Sequence, residues 1–485
     1  MYLSIPLFVV LLVASQFLPG NALSSPPNSV KKTSTHTQLF ASQGNTEDTD
    51  DSTSTTSIDC AIIGGGPASF VTAIAISKAS PSSSIAIFEK DAFQPKGASI
   101  QISNSGWKSI KELDESLVQK LEDTGVPVTG VGMKSWKYDS NDDNGAEGNG
   151  ENAIKIFLKK NLSKVKSKAT QILFSRAIRK THLWHDVRVA LRDHAIKTYD
   201  VTEADESSGD RSLLNLNCAL EEIHPLHNDD KDGEGDNDRF ELTLINTQNG
   251  EEKKVRAKYL FACDGTKSKV RSVLPNEPDI LLAENKSVWR GMAPNVSTSG
   301  KATFFIGKSD SDTAGRSALI FPGGKDAGSS WTVISDIENG KSTSTEEARK
   351  RVLKVIDTMG MSGTEASTTE SGNNNEYAQL KQAIDDSSII IENKLHVRDF
   401  DQPWESAYDG LIYIGDSAHP VRPTGEGTAL AFEDANVLGQ VISKYGLGVR
   451  SLREYENERY DVVKKISEKV RASSEALYKP NDQAP

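Results

Sequence analysis

The stretch Ile58-Asp-Cys-Ala-Ile-Ile-Gly-Gly-Gly-Pro-Ala-Ser69 is an apolar strand pattern that runs into a glycine turn. A helical run and a second apolar stretch, Ser84-Ile-Ala-Ile-Phe-Glu89, follow it. This order of strand, turn, helix, strand and acidic residue is what a dinucleotide-binding βαβ unit requires. Gly64 permits the tight turn, and Gly66 lets the backbone approach a pyrophosphate at the helix N-terminus. Glu89 is placed to accept a hydrogen bond from a ribose hydroxyl.

Two later segments each contain an apolar strand that ends in an acidic turn. In Lys258-Tyr-Leu-Phe-Ala-Cys-Asp-Gly-Thr-Lys-Ser-Lys-Val-Arg271 the turn is Asp264-Gly265. In the segment 411–435 the strand ends at Asp416, and a Pro/Gly loop and a helix come after it. A carboxylate beside a nucleotide site can accept hydrogen bonds from sugar-alcohol hydroxyls. Glycines in the loop let backbone lie flat against a ring, where a helix N-terminus favours negative charge.

In this order and at these separations, the three motifs resemble the single-component FAD-dependent monooxygenases, the family of aromatic hydroxylases and their epoxidase relatives, over residues 58–445. The resemblance implies an α/β fold, with a Rossmann-like FAD-binding domain interleaved with a mixed β-sheet substrate domain and followed by a C-terminal helix. The cofactor-binding residues that the motifs and the resemblance indicate are Gly64, Gly66, Pro67, Ala68, Ser69, Glu89, Lys90, Gln101, Arg188, Asp264, Gly265, Asp416, Pro423, Gly425, Gly427 and Thr428. No catalytic side chain and no metal site is indicated.

The resemblance also implies a reaction. FAD would be reduced by NAD(P)H, which binds without a second Rossmann domain, and O2 would be captured as a flavin C4a-hydroperoxide. One oxygen atom would then be inserted into a hydrophobic or aromatic small molecule. Two alternatives stay open: an FAD oxidoreductase that does not oxygenate its substrate, and a flavin-binding protein without catalysis.

Three residues have competing interpretations. Ser69 stands where the fingerprint has a third glycine for close helix–strand packing, and a small side chain is expected to fit there. Arg188 alone would be read as a solvated helix charge, whereas the resemblance places it on the cofactor. His419 follows the acidic turn, where a structural hydrogen bond is a commoner role than acid/base catalysis because the flavin supplies the chemistry.

The composition of the chain and its N-terminal leader indicate which partners and which location to expect. Segments 139–151, 200–210 and 228–238 contain sixteen acidic residues and one basic residue, against a net charge of −12 for the whole chain. The remainder is near neutral, so we expect solvated acidic insertions and no nucleic-acid partner. Leu3 to Leu18 is an apolar run of signal-peptide type, and 23–57 is Ser/Thr-rich. Together they resemble a bipartite plastid leader of algae with complex plastids. Secretion or endomembrane residence is the alternative, and a loose membrane association stays open.

The expected elements are strands at 58–63 and 85–89, helices at about 68–80, 182–197, 344–358 and 449–478, a β-meander from strands near 213–226, 239–247 and 253–262, and a strand-rich segment at 287–336. The expected domain order is a signal peptide (1–22), a disordered transit-like leader (23–57), the first part of the FAD-binding domain with the acidic insertion (58–200), the meander and return to that domain (201–285), the substrate sheet (286–395), the flavin-contacting loop and helix (396–445), and a C-terminal helix and tail (446–485).

Overall fold

A computed structural model describes residues 56–95, 97–135, 180–202, 213–226, 237–306, 316–325, 327–336, 342–358, 375–423 and 425–478. The predicted signal peptide and the acidic insertion at 139–151 lie outside these residues. So does nearly all of the predicted leader, but its boundary at residue 57 was placed too late. The first strand begins at Thr56, because Thr56 and Ser57 pair with Val255 and Arg256.

The strands within these residues are β1 (Thr56–Ile63), β2 (Ile85–Glu89), β3 (Ser99–Ile100), β4 (Gly125–Pro127), β5 (Gly130–Ser135), β6 (Lys180–Leu183), β7 (Leu214–Leu216), β8 (Cys218–Pro225), β9 (Phe240–Asn246), β10 (Glu252–Ala262), β11 (Leu281–Ala293), β12 (Lys301–Ile306), β13 (Ser317–Pro322), β14 (Ser329–Asp336), β15 (Ile390–Arg398) and β16 (Leu411–Tyr413). The helices are α1 (Pro67–Ala79), α2 (Asn104–Leu113), α3 (Glu115–Glu122), α4 (Trp184–Thr202), α5 (Lys269–Val273), α6 (Thr345–Thr358), α7 (Asn375–Asp386), α8 (Gly427–Tyr445) and α9 (Val449–Tyr478), and a 3-10 turn covers Gly415–Ser417.

The first sheet has the strand order β7-β2-β1-β10-β9-β8, and β16 also pairs with β10. β1 is parallel to β2 and to β10, so that Ile63 lies opposite Phe88 and Ala262. β16 is parallel to β10, with Tyr413 opposite Ala262. The carboxyl ends of these strands therefore meet at one edge of the sheet, which is where open α/β sheets bind ligands. The turns of all three sequence motifs lie at that edge.

The second sheet has the order β15-β11-β14-β13-β12-β5. Its pairs are antiparallel except for β12 and β5, and β5 belongs to the sequence segment 58–200 assigned to the first part of the FAD-binding domain. A third, small sheet with the order β3-β6-β4 connects the two lobes. Its residue Thr181 donates a hydrogen bond to the carbonyl of Pro322 at 2.8 Å, and Ser99 donates to the carbonyl of Gly323.

The largest apolar core lies between the first sheet and the helices α1, α4 and α8. Helix α1 is apolar all round and almost wholly buried, as expected for a helix with packed neighbours on every side. A second core covers the other face of the sheet, under the meander β8-β9-β10. A third lies between the second sheet and the helices α6 and α7. Cys60 is buried within β1, Cys263 is buried directly after β10, and all three cysteines are free.

The expected α/β fold is confirmed, and three details of the sequence prediction are corrected. The helix expected from residue 182 begins at Trp184, because Lys180–Leu183 pair with β3 and β4 as a strand. The strand expected over 213–226 is broken at Asn217, whose left-handed φ of 57° ends β7 before β8 begins. Helix α7 and strand β15 were not predicted. Among the described residues, no helix has the length and apolarity to cross a bilayer.

Candidate functional site

The glycine turn after β1 needs its glycines for two different reasons. Gly64 has a φ of 111°, and a Cβ there would lie 2.5 Å from the carbonyl oxygen of Cys263. A Cβ on Gly65 would lie 2.6 Å from Oε2 of Glu89. Gly66 differs, because the nearest atom to its added Cβ is 3.8 Å away, on Trp184. The chain itself leaves room at Gly66, as expected where a ligand must approach the backbone.

Two helix N-termini at this site lack side-chain caps. Helix α1 begins at Pro67 after Gly66, and helix α8 begins at Gly427 after Glu426, and neither cap residue makes a side-chain hydrogen bond to its helix. No cap side chain occupies the first-turn N–H groups of either helix, although the Ser69 N–H of α1 donates to the Gly66 carbonyl at 3.1 Å, and neither first turn contains an acidic residue. Such N-termini attract anionic groups. The sequence predicts a pyrophosphate at the N-terminus of α1 and an electron-rich ring at the N-terminus of α8.

Arg188 and Glu89 lie together under the glycine turn. Arg188 is fully buried, its Nε donates to the carbonyl of Gly65, and one terminal nitrogen lies 3.6 Å from Oε2 of Glu89. Its guanidinium stacks 3.7 Å above the Phe93 ring, and both terminal nitrogens lack a hydrogen-bond partner. Burial lowers the pKa of Arg188, and Glu89 opposes this effect. Arg188 is therefore not the solvated charge that it would be taken for alone.

The turn after β10 is joined to the turn after β16. The half-buried Asp264 accepts the Val270 N–H at 3.0 Å through Oδ2, while its Oδ1 is buried without a hydrogen-bond partner. Gly265 has a φ of 83°. Thr266 donates to Asp416 at 3.5 Å, and Arg271 donates to the carbonyl of Ser417 at 3.4 Å.

Asp416 lies in a recess between these turns. The residue is exposed to solvent, but the protein that surrounds its carboxyl partly desolvates it and raises its pKa, an effect that His419 and then the Arg290 guanidinium oppose. An added Cβ on Gly427 would be 3.5 Å from Oδ1 of Asp416, so the carboxylate lies beside the N-terminus of α8. Gly425 has a φ of 95° and nothing within 4 Å of its added Cβ. The carboxylate, the open loop and the helix N-terminus thus form one accessible surface.

The remaining predicted residues take different positions. Ser69 is fully buried in α1, so the third fingerprint position accommodates a hydroxymethyl group. Ala68 touches the 3-10 turn, because an added Cβ on Gly415 would lie 3.3 Å from its Cβ. Gln101 is half-buried and follows β3. Pro423 lies in the loop before α8, and Thr428 lies in the first turn of α8. The Lys90 side chain is exposed. The described contacts bring neither Lys90 nor Gln101 to the other predicted residues.

A buried charge network supports the 3-10 turn from behind. Asp434 of α8 is fully buried and accepts hydrogen bonds from the Gly415 N–H at 2.9 Å, His419 Nε2 at 2.6 Å and Arg459 Nε at 2.8 Å. Trp404 stacks on the His419 ring with an interplanar angle of 6°. His419 thus makes a buried structural hydrogen bond, the role that the sequence favours for it. Neither Asp434 nor Arg459 was predicted. Each is a charged residue on the apolar face of its helix, and a charge at such a position is the signal that could have identified them.

The loop before α8 is also attached to the second sheet. Arg422 forms a two-pronged ion pair with Glu284 of β11, with its Nε 2.7 Å from Oε2 and a terminal nitrogen 2.6 Å from Oε1. Both side chains are 12% exposed, so solvent screens the pair less than it screens a surface pair. This ion pair holds the predicted flavin-contacting loop against the predicted substrate sheet.

One face of the second sheet is open toward this site. The register places Phe304, Leu319, Thr332, Arg290 and Ile391 in one row across β12, β13, β14, β11 and β15, and none of the five is buried. The adjacent row on the opposite face, from Phe305 to Trp289, is buried under α6 and α7. On the open face, Ser330 Oγ accepts the Ser99 N–H at 3.3 Å, two residues before Gln101. Arg290 of this row is close enough to Asp416 for their charges to interact, so the open face and Asp416 lie on the same side of the molecule.

The residues present fit FAD. The open space at Gly66 and the uncapped α1 N-terminus suit a pyrophosphate. The orphaned nitrogens of Arg188 suit the same charge, and Asp416 suits ribityl hydroxyls. Among the described residues, no group of three or more His, Cys, Asp or Glu could hold a metal ion.

Known proteins share this architecture. A family model described as an FAD binding domain matches residues 225–470. HpxO of Klebsiella pneumoniae, solved with FAD and uric acid, has a TM-score of 0.59 and 16% identity, covering 88% of this chain and 90% of that one. The tetracycline destructase Tet(51) has a TM-score of 0.56 and 13% identity, covering 87% and 92%. A Photorhabdus luminescens protein assigned as an FAD-containing monooxygenase has 0.55 and 14%, covering 87% and 98%.

At these identities the solved structures show a shared fold, and no curated protein matches the sequence significantly. The family assignment rests on the family model, which covers more than half of the chain and includes the turns at Asp264 and Asp416 and the whole of α8. The chain therefore belongs to the FAD-binding domain family and, with it, to the FAD-dependent monooxygenases that its three motifs resemble.

Proposed function

We propose that the protein uses NAD(P)H and O2 to insert one oxygen atom into a hydrophobic or aromatic small molecule. The observation that carries the proposal is the open face of the second sheet. This face presents the partly exposed side chains of Phe304 and Leu319, and the carboxylate of Asp416 and the uncapped N-terminus of α8 supply polar groups beside it. Sites that combine apolar surface with a few polar groups bind small apolar ligands.

The chain's own residues would hold and orient the two ligands. The α1 N-terminus, with Gly66 and Arg188, would bind the pyrophosphate, and Asp416 would accept the ribityl hydroxyls. FAD, when bound, supplies the electron transfer and the oxygen chemistry. The N-terminus of α8 would stabilise negative charge on the adjacent ring edge, and the apolar row would keep water from the reacting atoms. None of these roles needs an acid or base side chain.

The test combines three measurements on purified FAD-loaded protein. NADPH and NADH oxidation are followed by absorbance, O2 uptake by an electrode, and product mass under ¹⁸O2. We expect a hydrophobic aromatic compound to accelerate NAD(P)H oxidation and to gain one ¹⁸O atom. Oxidation or reduction of the compound without ¹⁸O would favour the non-oxygenating oxidoreductase, and flavin that no pyridine nucleotide reduces would contradict the proposal.

We also propose delivery to a plastid by residues 1–57, supported by the apolar run followed by the acid-poor Ser/Thr tract. Secretion or endomembrane residence is the competing outcome.

A further inference from the structure

Trp184 is the side chain nearest to the open space at Gly66. The Cζ2 atom of its indole lies 3.8 Å from the Cβ that a side chain at Gly66 would have. Apart from the chain neighbours of Gly66, no other atom of the described residues lies within 4 Å of that point. The fingerprint keeps this space for a pyrophosphate. One edge of the indole therefore borders the place of the FAD pyrophosphate.

Three contacts hold Trp184 at this position. Its backbone N–H donates to the Ala98 carbonyl at 3.1 Å, at the point where β6 ends and α4 begins. Its indole packs on Gly97, which has a φ of 91° and where an added Cβ would lie 3.2 Å from Cε3 of the indole. The Arg188 guanidinium, one helical turn further along α4, lies 5.3 Å from the centre of the ring. The backbone and a buried neighbour thus set the position of the indole.

The indole N–H of Trp184 is left for a ligand. It has no hydrogen-bond partner among the described residues, although Trp184 is half-buried. Its Nε1 keeps some solvent-accessible surface, unlike the Nε1 of Trp289, which is buried without a partner. The indole nitrogen donates and does not accept, so its partner must be an acceptor. Because Nε1 and Cζ2 are bonded to the same ring carbon, the N–H lies on the indole edge that borders the pyrophosphate place.

The groups around this edge favour an anionic acceptor. The terminal nitrogens of Arg188 lack hydrogen-bond partners, and Gly66 precedes the uncapped N-terminus of α1. A hydrogen bond from an N–H to a charged phosphate oxygen is roughly twice as strong as one between neutral groups. The flavin ring is the competing partner for the indole, but its predicted place is the N-terminus of α8, which begins at Gly427.

We infer that Trp184 is a ligand of the FAD pyrophosphate: its Nε1–H donates to a phosphate oxygen, and its indole lies over Gly66 beside the bound cofactor. This donor belongs to no fingerprint position, because Trp184 reaches the glycine turn from the end of β6 in the third sheet. The inference rests on the FAD site and is independent of the oxygenation proposed above. ADP, which has the pyrophosphate without the flavin, should make the same contact.

The test is a titration of full-length apoprotein with ADP and with FAD, on the parent and on Trp184→Phe, which keeps an aromatic ring but lacks the N–H. We expect both ligands to bind about tenfold more weakly to the variant, the lower end of what a hydrogen bond to a charged group contributes. ADP should also produce an indole absorption difference band in the parent that Trp184→Phe lacks. The matched control Trp107→Phe removes a half-buried indole of α2 that lies 5.8 Å from the His182 ring, and it should keep both the affinity and the band.

Three results would overturn the inference: equal binding of ADP by Trp184→Phe and the parent, an indole absorption of the parent that ADP leaves unchanged, or weaker binding of FAD without weaker binding of ADP, which would place the indole on the flavin half of the cofactor. The difference band is measured on the unsubstituted protein, so it separates a contact with the ligand from a purely structural role of the indole. If Trp184→Phe does not fold, Trp184→Leu, which also lacks the N–H, decides by the same comparison of ADP with FAD.

Discussion

Replacing Asp434 by Asn tests whether the buried charge network maintains the turn that carries Asp416. The asparagine has nearly the same shape, but its NH2 group would face Arg459 or His419, both of which donate to Asp434 in the protein. Removing one partner of a buried ion pair costs about 3–5 kcal/mol, because the other charge is left uncompensated. Arg459 keeps Glu433 at 3.2 Å, so we expect the lower end, about 3 kcal/mol.

The assay is equilibrium urea unfolding, followed by tryptophan fluorescence, on protein with and without FAD. The control is Asp357→Asn, which removes a 2.8 Å ion pair with Lys381 that is largely exposed, and which should cost less than about 1 kcal/mol. FAD affinity should also fall in the Asp434 variant, because the Gly415 N–H loses its charged acceptor. A variant that unfolds at the parental urea concentration and binds FAD as the parent does would refute the reasoning.

The pH dependence of the same network has a definite sign. Burial raises the pKa of Asp434, but His419, Arg459 and the Gly415 N–H outweigh this and lower it below the usual value of 3.8. The stabilisation from Asp434 is therefore complete above the pKa of an unfolded aspartate, about 3.9, and is lost as the pH falls below it. Asp434→Asn should flatten the acid limb of the unfolding profile.

The remaining predictions concern the cofactor, pH and the leader. Gly66→Val should yield a folded protein with little bound FAD by absorbance, because the protein has room for the valine side chain but that side chain would occupy the place of the pyrophosphate. A full complement of FAD would contradict the assignment. Asp416→Ala should weaken FAD binding by roughly ten- to a hundredfold in titrations of apoprotein, and an unchanged affinity would make the turn purely structural. Burial raises the pKa of Glu456 to about 7, so folding favours its protonated form and stability should fall from about pH 4.5 to about 7; Glu456→Gln should remove that slope in urea melts. A chain that begins at Ser52 should bind FAD like the full chain, and residues 1–57 fused to a fluorescent protein should reach a plastid, or the secretory route if only the signal acts.

The sequence was sufficient to predict those parts of the site whose structure depends on neighbouring residues alone. The turn at Gly64 to Ser69 is readable because a positive φ, an uncapped helix start and flanking apolar strands each leave a residue-level signal. Asp264 and Asp416 were readable for the same reason, since each ends an apolar strand. His419 could be assigned a structural role because turn histidines usually have one.

The rest depended on contacts between distant segments. His182 and Leu183 were read as the start of a helix, but the pairing of Lys180–Leu183 with two short strands overrides that local tendency. The position of Arg290 on the open face depends on a register across five strands, which no single stretch encodes. Asp434 and Arg459 are 25 residues apart on two helices, and only the packing of α9 against α8 makes them partners. Helical periodicity gave the existence of both helices but not their mutual orientation.

The hydrogen bond from Arg459 to Asp434 has a consequence for the order in which the protein is made. Gly64, at one end of the nucleotide site, is synthesised almost four hundred residues before the arginine that completes the support of the opposite side. Contacts of such separation form late, because closing long loops costs entropy before any contact repays it. The N-terminal βαβ unit emerging from the ribosome therefore lacks the other half of its ligand site. We therefore expect FAD to bind only after translation, when α9 has packed against α8. A chain that ends before α9 should lack bound FAD and its yellow absorbance.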